Sequence, residues 1–251
     1  MSVTEIDITR FEIFASGLDH PEGLAFDHDG SLWAGGEAGQ IYRIDPDGRN
    51  ELVAECGGFS LGLAFSPDGE LFVCNSQHGV LRVDPSGRWE VFARGMICPN
   101  YPAFDRQGNL WVSDSGQWKQ NNGRVLRFQM DGSSEIMVEQ MGYANGLCFD
   151  GDGTLYIAES DSRRVVRLDG SVVAEEVGRT PDGLAFGPDG SLFVACYASD
   201  DIWRITPGRQ LRRFAHDLDA ILLCRPANLA FHGDYLYVAN LGRTTIVRAR
   251  L

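Results

Sequence analysis

Six stretches of this 251-residue chain are versions of one another: EGLAFDHDGSLWAGG, LGLAFSPDGELFVCN, NYPAFDRQGNLWVSD, NGLCFDGDGTLYIAE, DGLAFGPDGSLFVAC and ANLAFHGDYLYVAN. They begin at Glu22, Leu61, Asn100, Asn145, Asp182 and Ala227, so successive starts are 39, 39, 45, 37 and 45 residues apart. That period is near the roughly 40–45 residues of a four-stranded propeller blade. Each copy reads as four strands. A short first strand ends in Phe (Phe26, Phe65, Phe104, Phe149, Phe186, Phe231) and runs into a turn such as DHDG or SPDG, which supplies the positive-φ residue of a tight hairpin. The second strand reads as an alternating one, as in Leu32-Trp33-Ala34. A third carries a recurring arginine (Arg43, Arg82, Arg127, Arg167, Arg204, Arg248), and the fourth appears in ELVAE and WEVFARG.

The last copy stops after its third strand, at Leu251. Its missing strand is at the other end of the chain, where Phe11-Glu12-Ile13-Phe14-Ala15 before Gly17 matches Trp89-Glu90-Val91-Phe92-Ala93 before Gly95. The expected fold is therefore all-β: one six-bladed β-propeller over residues 1–251, four strands to a blade. The N-terminal strand completes the last blade and removes the exposed edge between first and last.

Composition narrows the function. With 43% hydrophobic residues the chain can bury a core without disulfides or metal. A net charge of −13 disfavours nucleic acid and anionic membrane surfaces, both of which ask for Lys/Arg-rich faces. The six cysteines show no C-x-x-C spacing and no histidine pairing, and four stand in apolar runs (FVCN, LCFD, VACY, LLCR). They read as reduced thiols of a reducing compartment. No run approaches the roughly 18 apolar residues of a membrane span, and MSVTEIDITRFEIF lacks a basic-then-apolar leader. The expectation is a cytoplasmic protein whose partner is a small molecule.

In a propeller the innermost strand of each blade starts at one mouth of the central channel, so the residue before that strand recurs around the axis. Here those six are Glu22, Leu61, Asn100, Asn145, Asp182 and Ala227. Four carry side-chain oxygens where their neighbours are mostly apolar. Asn and Asp alone can cap strand starts, but Glu22 is no turn former, and blades two and six break the pattern with Leu61 and Ala227. Two carboxylates and two amides make a hard-oxygen shell. It suits one divalent cation, Ca²⁺ first, with Mg²⁺, Mn²⁺ or Zn²⁺ as alternatives.

The set Glu22-Gly23, Pro99-Asn100, Asn145-Gly146 and Pro181-Asp182-Gly183, with LWVSDSG and LYIAES, resembles the senescence-marker-protein/gluconolactonase/luciferin-regenerating-enzyme family over the full chain. The resemblance implies a six-bladed propeller with one divalent cation in the channel. It implies that Glu22, Asn145 and Asp182 ligate the ion, and that Asn100 ligates it or holds its water and the substrate. Asp182 becomes the candidate base, with Glu22 and Asn100 beside it in the catalytic set. Departures are visible too: Leu24 where Glu-Gly-Pro is common, Tyr101 where Asn-Asp is common, and Cys98 where sugar-lactone hydrolases can place Arg.

The expected reaction is hydrolysis of a lactone or related ester, the ion polarising the carbonyl and stabilising the oxyanion. Around the mouth, Phe59, Met96, Ile97, Tyr143, Ile221 and Leu222 come from loops leading into first strands. His78, Trp118, Arg163 and Tyr197 come from loops after second strands, with Trp118 on the longest of these as a lid. The substrate-binding residues expected are Asn100, Tyr101, Trp118, Tyr143, Tyr197 and Phe59, a more apolar set than a sugar site needs. A serine triad is disfavoured: no G-x-S-x-G elbow exists, and none of the five histidines has a nucleophile motif. His28 and His232 fall in hairpin turns away from the site, and His20 lies at the mouth as a hydrogen-bonded rim residue or a proton shuttle. Two other readings stand beside this one: a calcium-dependent phosphotriesterase or paraoxonase-like hydrolase, and a non-catalytic ligand-binding propeller with a structural ion.

Overall fold

Six antiparallel four-stranded sheets succeed one another along the chain in the computed structural model, which describes residues 5–251. The inner strands are Leu24–Phe26, Ser60–Phe65, Pro99–Phe104, Ala144–Phe149, Pro181–Phe186 and Pro226–His232. Each pairs with the next strand in sequence, and successive inner strands pack on one another around an axis. This is the six-bladed propeller read from the repeat. In the last blade Phe11–Ser16 pairs with Thr245–Arg250, Phe11 opposite Ala249 and Ser16 opposite Thr245, so the N-terminal strand closes the ring. Among the described residues no helix is long and apolar enough to cross a membrane.

Aromatic stacking explains why Phe stands at the end of five inner strands and one residue short of it in the sixth. The aromatic of one blade's second strand meets the terminal Phe of the next blade edge-on: Trp33–Phe65, Phe72–Phe104, Trp111–Phe149, Tyr156–Phe186, Phe193–Phe231 and Tyr237–Phe26, at centroid distances of 5.1 to 5.8 Å. Each such pair adds about 0.5–1.5 kcal/mol beyond the area it buries. The recurring arginine sits opposite the same aromatic in register, as Trp33↔Arg43 and Trp111↔Arg127. The guanidinium carbons of Arg43, Arg127, Arg167 and Arg204 lie 5.4 to 5.9 Å from the ring centroids. The closing strand takes part as well, since Arg248 lies 4.8 Å from the Phe14 ring.

Burial along the second strands is unbroken, as in Leu71–Asn75 and Leu155–Glu159, where an alternating pattern was expected. Their side chains do alternate between faces, but each face is covered by a neighbouring blade, as in any sheet sandwiched on both sides. All six cysteines are free. Cys74, Cys148 and Cys196 occupy strands as expected, whereas Cys224 stands in the loop before Pro226.

Candidate metal and substrate site

The channel residues are not placed just before their strands, as expected, but on bulges inside them. Asn100 is skipped between the pairs Pro99↔Asp114 and Tyr101↔Ser113. Asn145 and Gly146 together oppose only Ala158, and Asp182 and Gly183 oppose only Ala195. Leu61 and Ala227 sit on matching irregularities, and only Glu22 precedes its strand. A bulge releases one residue from the ladder and re-aims its side chain; here it turns each toward the axis. The glycine that follows has its own reason. A Cβ on Gly23, Gly62, Gly146 or Gly183 would overlap the carbonyl oxygen of Leu61, Asn100, Asp182 or Ala227 in the next blade. Only glycine permits that approach.

Blades three and six lack that glycine and carry Tyr101 and Asn228 instead. They face one another across the channel, and the Tyr101 hydroxyl donates to Asn228 Oδ1 at 3.1 Å, fully buried. Tyr101 was expected to contact substrate. It is a plug across the channel and does not line the cavity at the mouth, because the missing glycine sends its ring inward to a partner on the far side.

Above the plug, a cavity of about 430 Å³ is lined by Glu22, Asn100, Asn145 and Asp182 together with Phe59, Leu61, Trp118, Tyr143, Thr180, Tyr197, Ala198 and Leu241. All four oxygen-bearing residues are thus brought together, at 4 to 8% exposure. Phe59, Trp118, Tyr143 and Tyr197 line the cavity as expected, Trp118 resting edge-on against Tyr143 at 5.0 Å. The other expected wall residues do not. Met96 and Leu222 pack into the core between blades, and Ile97 and Ile221 point to solvent. His78 is bonded to the Cys56 carbonyl, and Arg163 to that of Gly178. His28 is exposed on its turn as expected, whereas His232 ends its inner strand instead of lying in the turn, exposed and stacked on Phe26 at 4.5 Å. His20 is held at the rim by Asp19 at 2.9 Å.

The oxygens of this cluster are short of partners. Glu22 Oε2, Asn100 Oδ1 and Asn145 Oδ1 are buried and accept no hydrogen bond. An unmade buried hydrogen bond costs about 1–3 kcal/mol, and three acceptors converging on one cavity fit a cation better than any neutral ligand. Burial pushes the Asp182 carboxyl up to about 8, and Glu22 well above its usual range, where the Asp182 charge adds to the effect. Two buried carboxylates side by side are stable as anions only with positive charge between them. Among the described residues no group of three or more His, Cys, Asp or Glu is placed to hold a metal ion; the cluster here offers two carboxylates and two amides, a hard-oxygen set of the kind Ca²⁺ takes.

Two positioning devices escaped the sequence reading. Asn145 Nδ2 donates to Ser160 Oγ at 3.2 Å, and Ser160 in turn donates to the Pro181 carbonyl at 2.6 Å. Ser160 therefore fixes which end of the Asn145 amide faces the axis, leaving the oxygen inward. Ser160→Ala frees the amide to turn and is expected to weaken divalent-cation affinity by about tenfold or more, beyond the about 1–3 kcal/mol of stability that the lost buried hydrogen bonds cost in chelator; calorimetry with CaCl₂ beside thermal melts in chelator measures both. The second device ends four second strands with a buried polar residue: Asn75, Asp114, Glu159 and Asn240. Asp114 accepts from the backbones of Ile97 and Cys98, Glu159 from Gly142, and Asn240 from Cys224. Each ties down the loop that leads into an inner strand. The polar final letters of LFVCN, LWVSD, LYIAE and LYVAN were the available signal.

Known proteins share this framework. A gluconolactonase of Xanthomonas campestris superposes with a TM-score of 0.81 at 18% identity, over 96% of this chain and 89% of that one. Regucalcin of Agrobacterium tumefaciens strain C58, described as a calcium-binding protein, gives 0.76 at 17% identity over 94% and 92%. At such identities the likeness is one of fold. A virginiamycin B lyase of Nocardia farcinica is 31% identical over 110 residues, which span 42% of this chain and 39% of the lyase. The sequence profile of the SMP-30/gluconolactonase/LRE-like region matches residues 21–240, and the chain belongs to that family.

Proposed function

We propose that this protein is a divalent-cation-dependent hydrolase of a lactone or ester whose substituent is partly apolar. The observation that carries this reading is the convergence of Glu22 Oε2, Asn100 Oδ1 and Asn145 Oδ1, buried and without partners, beside Asp182 in a cavity with aromatic walls. Glu22, Asn145 and Asp182 hold the cation, with Asn100 holding it or the substrate carbonyl. A divalent cation bound there supplies positive charge against the oxyanion that forms when a carbonyl is attacked. Asp182, in the cavity beside the cation position, takes the proton of the attacking water. Asn145, fixed by Ser160, keeps its carbonyl inward, and Trp118 with Tyr143 covers the reacting atoms from bulk water. The family membership and the gluconolactonase neighbour support a lactonase in general terms. Cys98 and the aromatic walls favour a less hydroxylated substrate than a sugar lactone.

The test is elemental analysis of the purified protein, joined to a pH-indicator screen of lactones and esters before and after chelation. Bound calcium or a similar ion, with turnover lost on chelation and restored on adding CaCl₂, is the expected result. Metal at background together with unchanged turnover sinks the reading.

The raised carboxyl also sets a pH dependence. Protons that burial leaves on Glu22 and Asp182 must leave when the cation binds. Apparent affinity for CaCl₂ should therefore rise between about pH 6 and about pH 8, as Asp182 gives up its proton. A pH-independent affinity across that range would contradict the assignment of Asp182 as a ligand.

A further inference from the structure

A second ring of side chains circles the mouth above the channel residues: His20, Phe59, Cys98, Tyr143, Thr180 and Arg225, each two residues before its blade's channel position. In five blades the carbonyl of this residue accepts from the first residue past the second strand. Phe59 accepts from Ser76, Cys98 from Ser115, Tyr143 from Ser160, Thr180 from Tyr197 and Arg225 from Leu241, at 2.8 to 3.1 Å. Four members sit in the left-handed region, with φ of 42° at His20, 62° at Tyr143, 58° at Thr180 and 50° at Arg225. Glycine adopts that conformation freely and residues with a Cβ do not. Four of the six blades thus present a side chain to the mouth from a position where glycine would carry the backbone with less strain.

The ring is two-sided. Over blades two to four it offers Phe59, Cys98 and Tyr143, with Trp118 against Tyr143. Over blades five, six and one it offers Thr180, Arg225 and His20. His20 is met by acids, Asp19 at 2.9 Å and Glu37 at 3.5 Å. Arg225 is not: its guanidinium donates to the Tyr197 hydroxyl at 3.2 Å, with its carbon 5.5 Å from the Tyr197 ring centroid, and among the described residues it forms no ion pair. The nearby Asp200 accepts the Arg225 backbone N–H at 2.6 Å. Tyr197 itself lines the cavity, so its hydrogen bond holds the exposed Arg225 guanidinium beside the cavity, on the side of blades five and six.

We propose that the cavity takes an amphiphilic substrate, its apolar part against Phe59, Tyr143 and Trp118 and a carboxylate remote from the scissile bond bound by Arg225. A guanidinium tethered by a tyrosine hydroxyl keeps further N–H donors free, and two of them match a carboxylate in parallel. In a protein of net charge −13 a cation at the mouth favours the approach of an anionic group. The nature of the reaction rests on the hydrolase reading above; the carboxylate site does not.

Two experiments separate them. The first compares para-nitrophenyl butyrate with the mono-para-nitrophenyl ester of glutaric acid, alike in chain but for the terminal carboxylate, on calcium-loaded protein. Wild type should favour the glutarate ester in kcat/KM by about tenfold or more, a charged hydrogen bond's worth. Arg225→Met should collapse that ratio through KM, and Arg225→Lys should restore part of it. The second measures calorimetric binding of glutarate as its monoamide against butyramide, a pair alike but for the carboxylate, which needs no turnover. Weaker glutarate binding by Arg225→Met, with butyramide binding and melting temperature unaltered, upholds the site even if neither ester is hydrolysed, an outcome that would count against the hydrolase alone. Equal ester ratios in wild type and Arg225→Met, or glutarate binding that is absent or indifferent to Arg225, overturns the proposal.

Discussion

Asp182→Asn is expected to lower kcat for lactone or ester hydrolysis by about 10²–10⁴-fold, the range a positioned general base contributes, while leaving the fold intact. The stability of the variant separates this outcome from simple damage. Asp182 is buried, its carboxyl lifted to about 8 from its ordinary value near 3.8. An acid whose folded-state value is raised binds more protons folded than unfolded between those two values. Stability of chelated wild type must therefore fall as pH rises from about 4 to about 8. Asparagine has no charge to bury, so chelated Asp182→Asn should melt at least as high as chelated wild type near pH 8, with a flatter pH profile. Added CaCl₂ should raise the melting temperature of wild type by mass action and leave the variant nearly unmoved. Thermal melts with and without chelator, beside a kinetic assay, read all three. Near-normal turnover in the variant removes Asp182 as the base, and an undiminished calcium shift removes it as a ligand.

Deleting the chain up to Gly17 is expected to abolish cooperative folding or to lower the melting temperature on the order of 10 °C or more. The strand Phe11–Ser16 contributes Phe11 at 4% and Ala15 at 2% exposure, and Ile6 and Ile8 pack beside Phe11 against the core of blades five and six. Loss of one buried Phe alone costs about 3–5 kcal/mol. For a domain of this size each kcal/mol is worth roughly 2–4 °C. Deletion also strips the ladder from Thr245–Arg250 and opens the ring between its first and last blades, leaving an exposed edge that invites aggregation. Phe11→Ala is the milder companion, expected to lose a comparable amount from packing without opening the edge. Circular dichroism melts and size exclusion check both, and an unchanged melting temperature for the deletion would refute closure by this strand.

How far the site could be read ahead of the structure depended on whether a residue's role followed from the repeat. Glu22, Asn100, Asn145 and Asp182 stood out because six equivalent positions invite comparison, and the cavity gathers all four. Tyr101 occupies the position after Asn100, where four other blades carry glycine. Its assignment to the substrate wall missed that its partner, Asn228, is the one other exception, 127 residues away. Ser160 was equally invisible as an amide-orienting residue: only a hydrogen-bond network shows which way an Asn side chain points. The loop residues fared worst. Of the ten wall candidates, Phe59, Trp118, Tyr143 and Tyr197 line the cavity, because loops obey no period that says which side chain turns inward.

The sequence by itself determined the number of blades, the strand that closes the ring and the four positions where oxygen replaces carbon. Each of these repeats, and a repeat is a property of spacing that survives without coordinates. Tertiary structure alone decided which oxygens are left without partners, that Tyr101 bridges the channel, and that the mouth is apolar on one side and cationic at Arg225 on the other. Those facts depend on bulges, left-handed loop residues and contacts between blades far apart in the chain, where ångström-scale packing rather than residue type sets the outcome.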